Sequence, residues 1–240
     1  MKRLIAFSSG AHMGFVMLGI STLTAVGINA ALFGMVAHGL ITGMLFFCAG
    51  SIKERYHTLE ISRLTGLLHQ MPKLGWILGF CAMASLGLPG LAGFWGEFPA
   101  ILSAYSPAPG LNVALFRTLM VIAALGTVLA AAYLLWLYQR TAFGEVNPEF
   151  ASTAHHSNDP HGSEPHASEP HASEPRAAHA QSLGAAANDD HHDEITDVNV
   201  YEWIAWTPLL IGILVLGVYP QLMFKIMDPA VTQLVEVFNK

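Results

Sequence analysis

Charged residues are scarce in this 240-residue sequence, at 12% of the chain, about half of the roughly 25% found in soluble domains. Hydrophobic residues make up 53%, and the mean hydropathy is +0.46. This balance disfavours an ordinary water-soluble enzyme. The 11 basic residues form no basic stripe that could meet phosphates, so the sequence predicts no nucleic-acid partner.

Cysteine is equally scarce, and recognisable chemical motifs are missing. Cys48 and Cys81 both lie inside apolar runs, which excludes a disulfide framework or a CxxC metal site and favours two small buried side chains. The sequence contains no nucleophile elbow, phosphate loop or dinucleotide fingerprint. We therefore expect no catalytic residue, no redox cofactor and no membrane-embedded metal centre in this chain.

The charges that are present are unevenly distributed. Residues 145–198 carry 11 of the 17 acidic residues, 8 of the 12 histidines and a single basic residue, Arg176, whereas the rest of the chain is slightly basic. A proline-led pentapeptide recurs from Pro160, Pro165 and Pro170, which prevents a regular helix, and the near absence of apolar side chains prevents a core. We predict a disordered insert over residues 144–199. Metal binding by its histidines stays open as an alternative.

Apolar runs long enough to cross a bilayer flank this insert. Four runs of about 20 residues cover residues 4–26, 30–52, 113–137 and 203–219, and a short linker at 27–29 joins the first two. A fifth run, 74–105, is too long for one simple span and contains Pro89 and Gly90, which favour two half-helices joined by an unwound hinge. The sequence thus predicts an all-α polytopic membrane protein with five transmembrane helices, one of them broken.

The predicted domains and their orientation follow from this pattern. A body of four helices spans residues 1–143, and residues 200–240 supply the last helix and an amphipathic tail over 221–240 that lies in the membrane interface. If the spans alternate, most basic residues fall on one side: Lys2, Arg3, Lys53, Arg55, Arg63, Lys73 and Arg140. By the positive-inside rule this side is cytoplasmic. We expect a multi-pass protein of the inner (plasma) membrane with a cytoplasmic insert and an external C-terminus.

Ionisable side chains at bilayer depth are few. His12 and His38 lie near the middle of the first two helices, Ser8 and Thr42 lie one turn away from them, and Glu97 follows the break. Buried ionisable groups are costly in a membrane and often serve ion or proton pathways. Imidazole and a desolvated carboxylic acid can both exchange protons near neutral pH. We predict a proton relay of His12, His38 and Glu97, with packing histidines as the alternative interpretation.

Several strings of residues resemble one known family. They are KRLIAFSS (2–9), AHMGF (11–15), AHGL (37–40), ERYHT (54–58), GL (66–67) and ASLGLPGLAGFWGEF (84–98). These strings strongly resemble subunit M of bacterial NADH–quinone oxidoreductase (respiratory complex I). The resemblance is dense over residues 2–143 and looser over 200–221, and it does not extend to the insert.

The resemblance implies an antiporter-like, proton-pumping subunit of fourteen helices, of which this chain supplies the tenth to the fourteenth. His12 and His38 would be the relay histidines of the tenth and eleventh helices, and Glu97 the acid of the broken twelfth. The family's glutamate and two lysines of earlier helices have no counterpart here. We therefore expect a C-terminal piece that does not pump by itself.

Three functions follow as hypotheses. The first is proton translocation coupled to electron transfer from NADH to quinone, within an enzyme whose NADH, FMN, iron–sulfur clusters and quinone are bound by partner subunits. The membrane partners would then be neighbouring antiporter-like subunits and the lipid bilayer. The second is a subunit of a multisubunit cation/proton antiporter or a membrane-bound hydrogenase. The third is a membrane anchor with a metal-binding, His-rich loop.

Overall fold

A computed structural model describes residues 1–151 and 195–238, and all regular structure in these ranges is helical. The helices within them are α1 (Lys2–Ser21), α2 (Ala25–Tyr56), α3 (Leu67–Gln70), α4 (Pro72–Ser85), α5 (Ala92–Ser103), α6 (Val113–Ala142), α7 (Pro148–Ala151), α8 (Val200–Val218) and α9 (Gln221–Phe238).

Four of these helices, α1, α2, α6 and α8, are long and apolar enough to cross a membrane. Helices α4 and α5 have 14 and 12 residues and are the two half-helices predicted for the fifth apolar run. The prediction of an all-helical, multi-pass membrane protein with one broken helix is confirmed.

The break occupies residues 86–91 and contains both predicted hinge residues, Pro89 and Gly90. Gly87 and Gly90 have φ of +68° and +93°, backbone conformations that residues with a Cβ rarely adopt. Leu91 is extended and starts α5. These glycines therefore allow the backbone turn at which α4 ends and α5 begins.

The turn between α1 and α2 lies elsewhere than predicted. Residues 22–24 form it, and Gly27, assigned from the sequence to the linker 27–29, lies in the first turn of α2. The Thr24 side chain caps α2 by accepting a hydrogen bond from the Gly27 amide at 3.1 Å. A Cβ on Gly27 would overlap the carbonyl oxygen of Gly19. This glycine thus serves the close packing of α1 against α2.

The other spans differ less from their predicted bounds. Helix α6 starts at residue 113 as predicted and continues five residues beyond 137. Helix α8 starts three residues before 203 because Asn199 and Glu202 form a reciprocal capping box there. Both helices expose most of their apolar side chains, a surface suited to lipid or to neighbouring membrane helices.

The centre of the molecule is the packing of α1, α2 and α5 against one another, with α4, α6 and α8 around them. Helix α9, the predicted interfacial tail, packs on α2: the Phe224 ring lies 5.2 Å from the ring of Phe33, and Val231 is buried. Part of its apolar face therefore rests on protein. Cys48 and Cys81 are free and buried, as predicted.

The predicted basic side is one end of the helix bundle. The N-terminal amine of Met1 donates to the carbonyl of Leu59 at 2.9 Å, beyond the end of α2. Arg55 forms an ion pair with Glu202 at 2.7 Å, which joins the end of α2 to the start of α8. The turn at 22–24 and the residues after α5 meet at the opposite end, where the Ala108 amide donates to the carbonyl of Thr22.

Both ends of the predicted disordered insert, 144–199, form specific contacts. The Asn147 amide donates to the carbonyl of Arg63 at 3.1 Å. The Asp197 carboxylate accepts two backbone N–H groups at the start of α4, at 3.0 and 3.2 Å. The prediction extended too far at its edges because composition does not reveal individual hydrogen bonds. The proline repeats and the His-rich tract fall in 152–194, outside the described residues.

Candidate functional site

The predicted site lies where α1, α2 and α5 cross. Gly34 on α2 faces Gly96 on α5, and a Cβ on Gly96 would overlap the Gly34 Cα atom and lie 3.0 Å from its nitrogen. Two glycines at one crossing let the helix backbones touch. This close approach brings Glu97, the next residue of α5, into the interior of the bundle.

His12 is held by hydrogen-bond acceptors on both sides of its ring. Its Nδ1 atom lies 2.6 Å from the carbonyl oxygen of Ser8. Its Nε2 atom lies 3.0 Å from the carbonyl oxygen of Ser85 and 3.2 Å from Oε1 of Glu97. Carbonyl and carboxylate oxygens only accept, so both ring nitrogens must carry hydrogen to satisfy them. This geometry fits an imidazolium paired with a carboxylate.

The His12–Glu97 pair is shielded from solvent, with side-chain exposures of 9% and 13%. In such a low-dielectric setting the attraction between opposite charges is stronger than in water. The second oxygen of the carboxylate lies near the break: a Cβ on Gly87 would come within 2.9 Å of Oε2. Gly87 therefore leaves space for the Glu97 carboxylate.

His38 extends this pair towards α2. Its ring centre lies 5.2 Å from that of His12, at an interplanar angle of 32°. The Thr42 hydroxyl, one turn along α2, lies 3.1 Å from Nδ1 of His38. A cavity bordered by His12, His38 and Glu97 offers water about 20 Å³, and one water molecule needs about 10 to 15 Å³. The cavity therefore has room for one water molecule beside these three side chains.

Ser8, which the sequence placed one turn from His12 as a supporting polar residue, contacts the imidazole through its backbone. Its hydroxyl donates to the carbonyl of Ile5 at 2.8 Å, and its carbonyl, rather than its hydroxyl, holds His12. The sequence interpretation missed Ser85, whose carbonyl and hydroxyl both lie within 3.3 Å of Nε2 of His12. Ser85 is the last residue of α4, where a backbone carbonyl has no hydrogen-bond partner within the helix. A position at a helix end was the feature that could have indicated this acceptor.

The last membrane helix closes over the break. A Cβ on Gly217 of α8 would overlap the carbonyl oxygen of Gly90 and the backbone of Leu91. The indole of Trp95 on α5 donates to the Gly217 carbonyl at 2.8 Å. The unwound segment therefore lies against protein, the setting in which a membrane tolerates irregular backbone.

Within residues 1–151 and 195–238, no group of three or more His, Cys, Asp or Glu side chains is placed to hold a metal ion. The histidines of the insert lie outside these ranges. The described site brings together two imidazoles, a carboxylate and a hydroxyl, groups that can form hydrogen bonds and exchange protons.

Comparison with known proteins places this arrangement in a family. Residues 1–136 match the family model described as NADH:quinone oxidoreductase/Mrp antiporter, TM. The chain belongs to this family. The matched residues include α1, α2, the broken helix and most of α6, and thus all the residues of the site.

Relatives with known names agree. NADH-quinone oxidoreductase subunit M of Rhodobacter capsulatus is 36% identical over 239 residues, covering all of this chain and 37% of the relative. NADH-ubiquinone oxidoreductase chain 4 of Marchantia polymorpha is 30% identical over 236 residues, covering 98% of this chain and 38% of the relative. The chain thus spans well under half the length of these relatives.

Two solved structures share the fold. A chain of respiratory complex I from Thermus thermophilus superposes with a TM-score of 0.71 at 27% identity, over 98% of this chain and 39% of the other. A chain of the Mrp complex from Dietzia sp. superposes with a TM-score of 0.67 at 19% identity, over 96% and 42%. At that identity the second likeness concerns the fold alone.

Proposed function

We propose that this chain forms part of a proton-translocating membrane subunit of NADH–quinone oxidoreductase. The observation that carries the proposal is the contact of His12 with Glu97 at 3.2 Å. The His38 ring lies next to that of His12, and Glu97 belongs to the second half of the broken helix. Charged groups at this depth cost about 2.5 to 3.5 kcal/mol each on insertion scales. A role in proton exchange gives this buried pair of opposite charges a function that offsets the cost of insertion.

The proposed relay runs from His38 to His12 and on to Glu97. In its central step, His12 gives its Nε2 proton to Oε1 of Glu97, so that an imidazolium and a carboxylate become a neutral imidazole and a carboxylic acid. His38, as the imidazolium formed when it takes up the incoming proton, then gives a proton to Nε2 of His12 through a water in the cavity that both side chains line, and returns to the neutral imidazole. Thr42 orients the His38 ring through its hydroxyl.

The hinge at Pro89 and Gly90 has a supporting role in this proposal. The break places two helix ends beside Glu97, and its left-handed glycines give the backbone room to adjust as the carboxyl group gains and loses charge. In transporters, the ends of discontinuous helices form substrate and ion sites.

The redox chemistry belongs to other subunits. In this proposal NADH, FMN, iron–sulfur clusters and quinone are bound by partner subunits, and this chain binds none of them. Its own partners are the antiporter-like membrane subunits beside it and the surrounding lipid. It contributes to an enzyme, NADH:quinone oxidoreductase, without holding a redox centre.

The basic end of the bundle sets the orientation. We place that end, with the insert 144–199, in the cytoplasm by the positive-inside rule, which puts the chain in the inner (plasma) membrane and its C-terminus outside. A role in a cation/proton antiporter is the second candidate, since the matching family includes Mrp antiporters. The named relatives at 30% to 36% identity favour the first.

The decisive variant is Glu97→Gln in the complete, membrane-bound complex. Glutamine keeps the volume and a hydrogen-bonding head but cannot take up and release the proton. We expect NADH-driven acidification of inverted vesicles and quinone reduction to fall together by at least tenfold, with normal assembly. His12→Ala and His38→Ala should have smaller effects, because water can replace an imidazole in a relay.

The matched control is Glu236→Gln on α9, where the glutamate is exposed. This variant should pump like the parent. Normal acidification by Glu97→Gln at equal assembly would remove Glu97 from the pathway and leave the histidines as packing residues.

A further inference from the structure

The hydroxyl group of Ser85 bonds differently from most hydroxyl groups in these helices. Serine and threonine in helices commonly donate to a carbonyl three or four residues earlier, as Ser8, Ser103 and Thr141 do. The Ser85 hydroxyl makes no such bond within the described α4. Its hydrogen-bond partner among residues 1–151 and 195–238 is Nε2 of His12, at 3.3 Å. Ser85 is buried and lines the same cavity as the relay residues, so this contact belongs to the site.

The two oxygen atoms of Ser85 have different hydrogen-bonding capacities. Its carbonyl oxygen, 3.0 Å from Nε2 of His12, can only accept, whereas its hydroxyl can both accept and donate. While Nε2 carries a hydrogen, both oxygens act as acceptors. The hydrogen of the Ser85 hydroxyl then has no protein acceptor in the described part of the chain, because Nε2 is the hydroxyl's hydrogen-bond partner there. This hydrogen is therefore available when His12 changes its protonation state.

Transfer of the Nε2 proton to Glu97 changes the kind of partner that His12 needs. Nδ1 keeps its hydrogen, since it lies 2.6 Å from the carbonyl oxygen of Ser8, and Nε2 is left with a lone pair that accepts. The Ser85 carbonyl cannot donate to it. The newly formed Glu97 acid and the Ser85 hydroxyl both can, from 3.2 and 3.3 Å. Donation by the acid favours return of the proton to His12, whereas donation by Ser85 leaves the acid free to pass its proton on.

We propose that Ser85 is a further positioning residue of the relay: its hydroxyl accepts from Nε2 while His12 is protonated, and it rotates to donate to Nε2 once the proton has passed to Glu97. This inference rests on the function proposed above. The switch needs rotation about the Cβ–Oγ bond and no rearrangement of the helices. When His38 restores the proton, the hydroxyl returns to its accepting orientation.

The test compares Ser85→Ala with Ser103→Ala in the complete complex in inverted vesicles. Both changes remove the hydroxyl of a buried serine, and Ser85→Ala keeps the backbone carbonyl that holds His12. The Ser103 hydroxyl donates to Ala100 and accepts from Thr22, outside the relay. We expect Ser85→Ala to lower the rate of NADH-driven acidification about tenfold, equivalent to about 1.4 kcal/mol, the size of one hydrogen bond. Ser103→Ala should leave the rate unchanged.

Three further measurements separate positioning from a packing role. In a His12→Ala background, Ser85→Ala should have no further effect on pumping, because the hydroxyl acts through the imidazole. Infrared difference spectra should show the C=O stretching band of protonated Glu97, identified by its absence in Glu97→Gln. This band should be weaker in Ser85→Ala, where the transferred state is less populated, and unchanged in Ser103→Ala. The thermal midpoint of Ser85→Ala should equal that of the parent, because the hydroxyl hydrogen has no protein acceptor in the ion-paired state.

The possible results are distinct. An unchanged pumping rate or an undiminished carboxyl band in Ser85→Ala overturns the inference. A loss of pumping that is matched by a loss of thermal stability, or that persists in the His12→Ala background, overturns it as well. If Glu97→Gln itself pumps normally, the proposed function fails, and that result differs from a failure at Ser85 alone.

Discussion

The crossing of Gly34 and Gly96 offers the sharpest test of how the fold makes the site. In Gly96→Ala, the new Cβ meets backbone atoms of Gly34 rather than the end of a flexible side chain. Carbon atoms in contact need about 3.5 to 4.0 Å, so α2 and α5 must separate by about 1 Å. Glu97 is the next residue of α5, so a shift of this size disturbs its 3.2 Å contact with His12 on α1, which is already at the upper end of hydrogen-bonding distance.

The energetic balance of Gly96→Ala has two opposing parts. Replacing glycine by alanine inside a helix stabilises it by about 1 kcal/mol, whereas overpacking a tight interface costs about 1 to 3 kcal/mol. The rigid backbone of Gly34 puts the cost at the upper end. We expect a net loss of about 1 to 2 kcal/mol in stability and at least a tenfold loss of pumping.

Thermal unfolding of the purified complex and vesicle acidification measure these two effects. Gly43→Ala on α2 is the matched control, since a Cβ there meets nothing within 4 Å, and it should be neutral or slightly stabilising. A Gly96→Ala complex as stable and as active as the parent would refute the reasoning that this crossing sets the His12–Glu97 distance.

Two other predictions concern the basic end of the bundle. Asp197→Ala should destabilise the protein by about 1 kcal/mol in thermal unfolding, because α4 loses the carboxylate that caps its first N–H groups. Asp197→Asn keeps an acceptor and should lose less, and equal losses would contradict a capping role. Replacing residues 152–194 by a short flexible linker should leave assembly unchanged on native gels. A deletion of 145–198 should reduce it, since contacts of Asn147 and Asp197 are then lost; equal assembly of the two deletions would show that these contacts are dispensable.

The sequence was most informative where the membrane restricts which residue types are tolerated. Few residues can stand at bilayer depth with a charge, so His12, His38 and Glu97 could be selected without knowing the fold. Pro89 and Gly90 marked the break because a single straight helix could not hold that run.

Other features depend on packing between distant residues and could not be predicted. Gly27 suggested a turn, yet its role is to admit a neighbouring helix. Composition cannot distinguish these two uses of glycine. The His12–Glu97 contact depends on a crossing between Gly34 and Gly96, 62 positions apart in sequence. The hydrogen-bond acceptor at Ser85 is a backbone carbonyl, which only its position at the end of α4 could have suggested.

The contact of Gly217 with the break has a consequence for how the protein is made. The backbone of Leu91 is synthesised about 125 residues before Gly217 reaches it, a delay of roughly 6 to 25 s at ordinary translation rates. During that interval the indole of Trp95 lacks the carbonyl that it later binds, and the unwound segment has no cover from α8. The unwound segment is therefore made well before the helix that covers it, and its protein surroundings are complete only once the last helix has inserted.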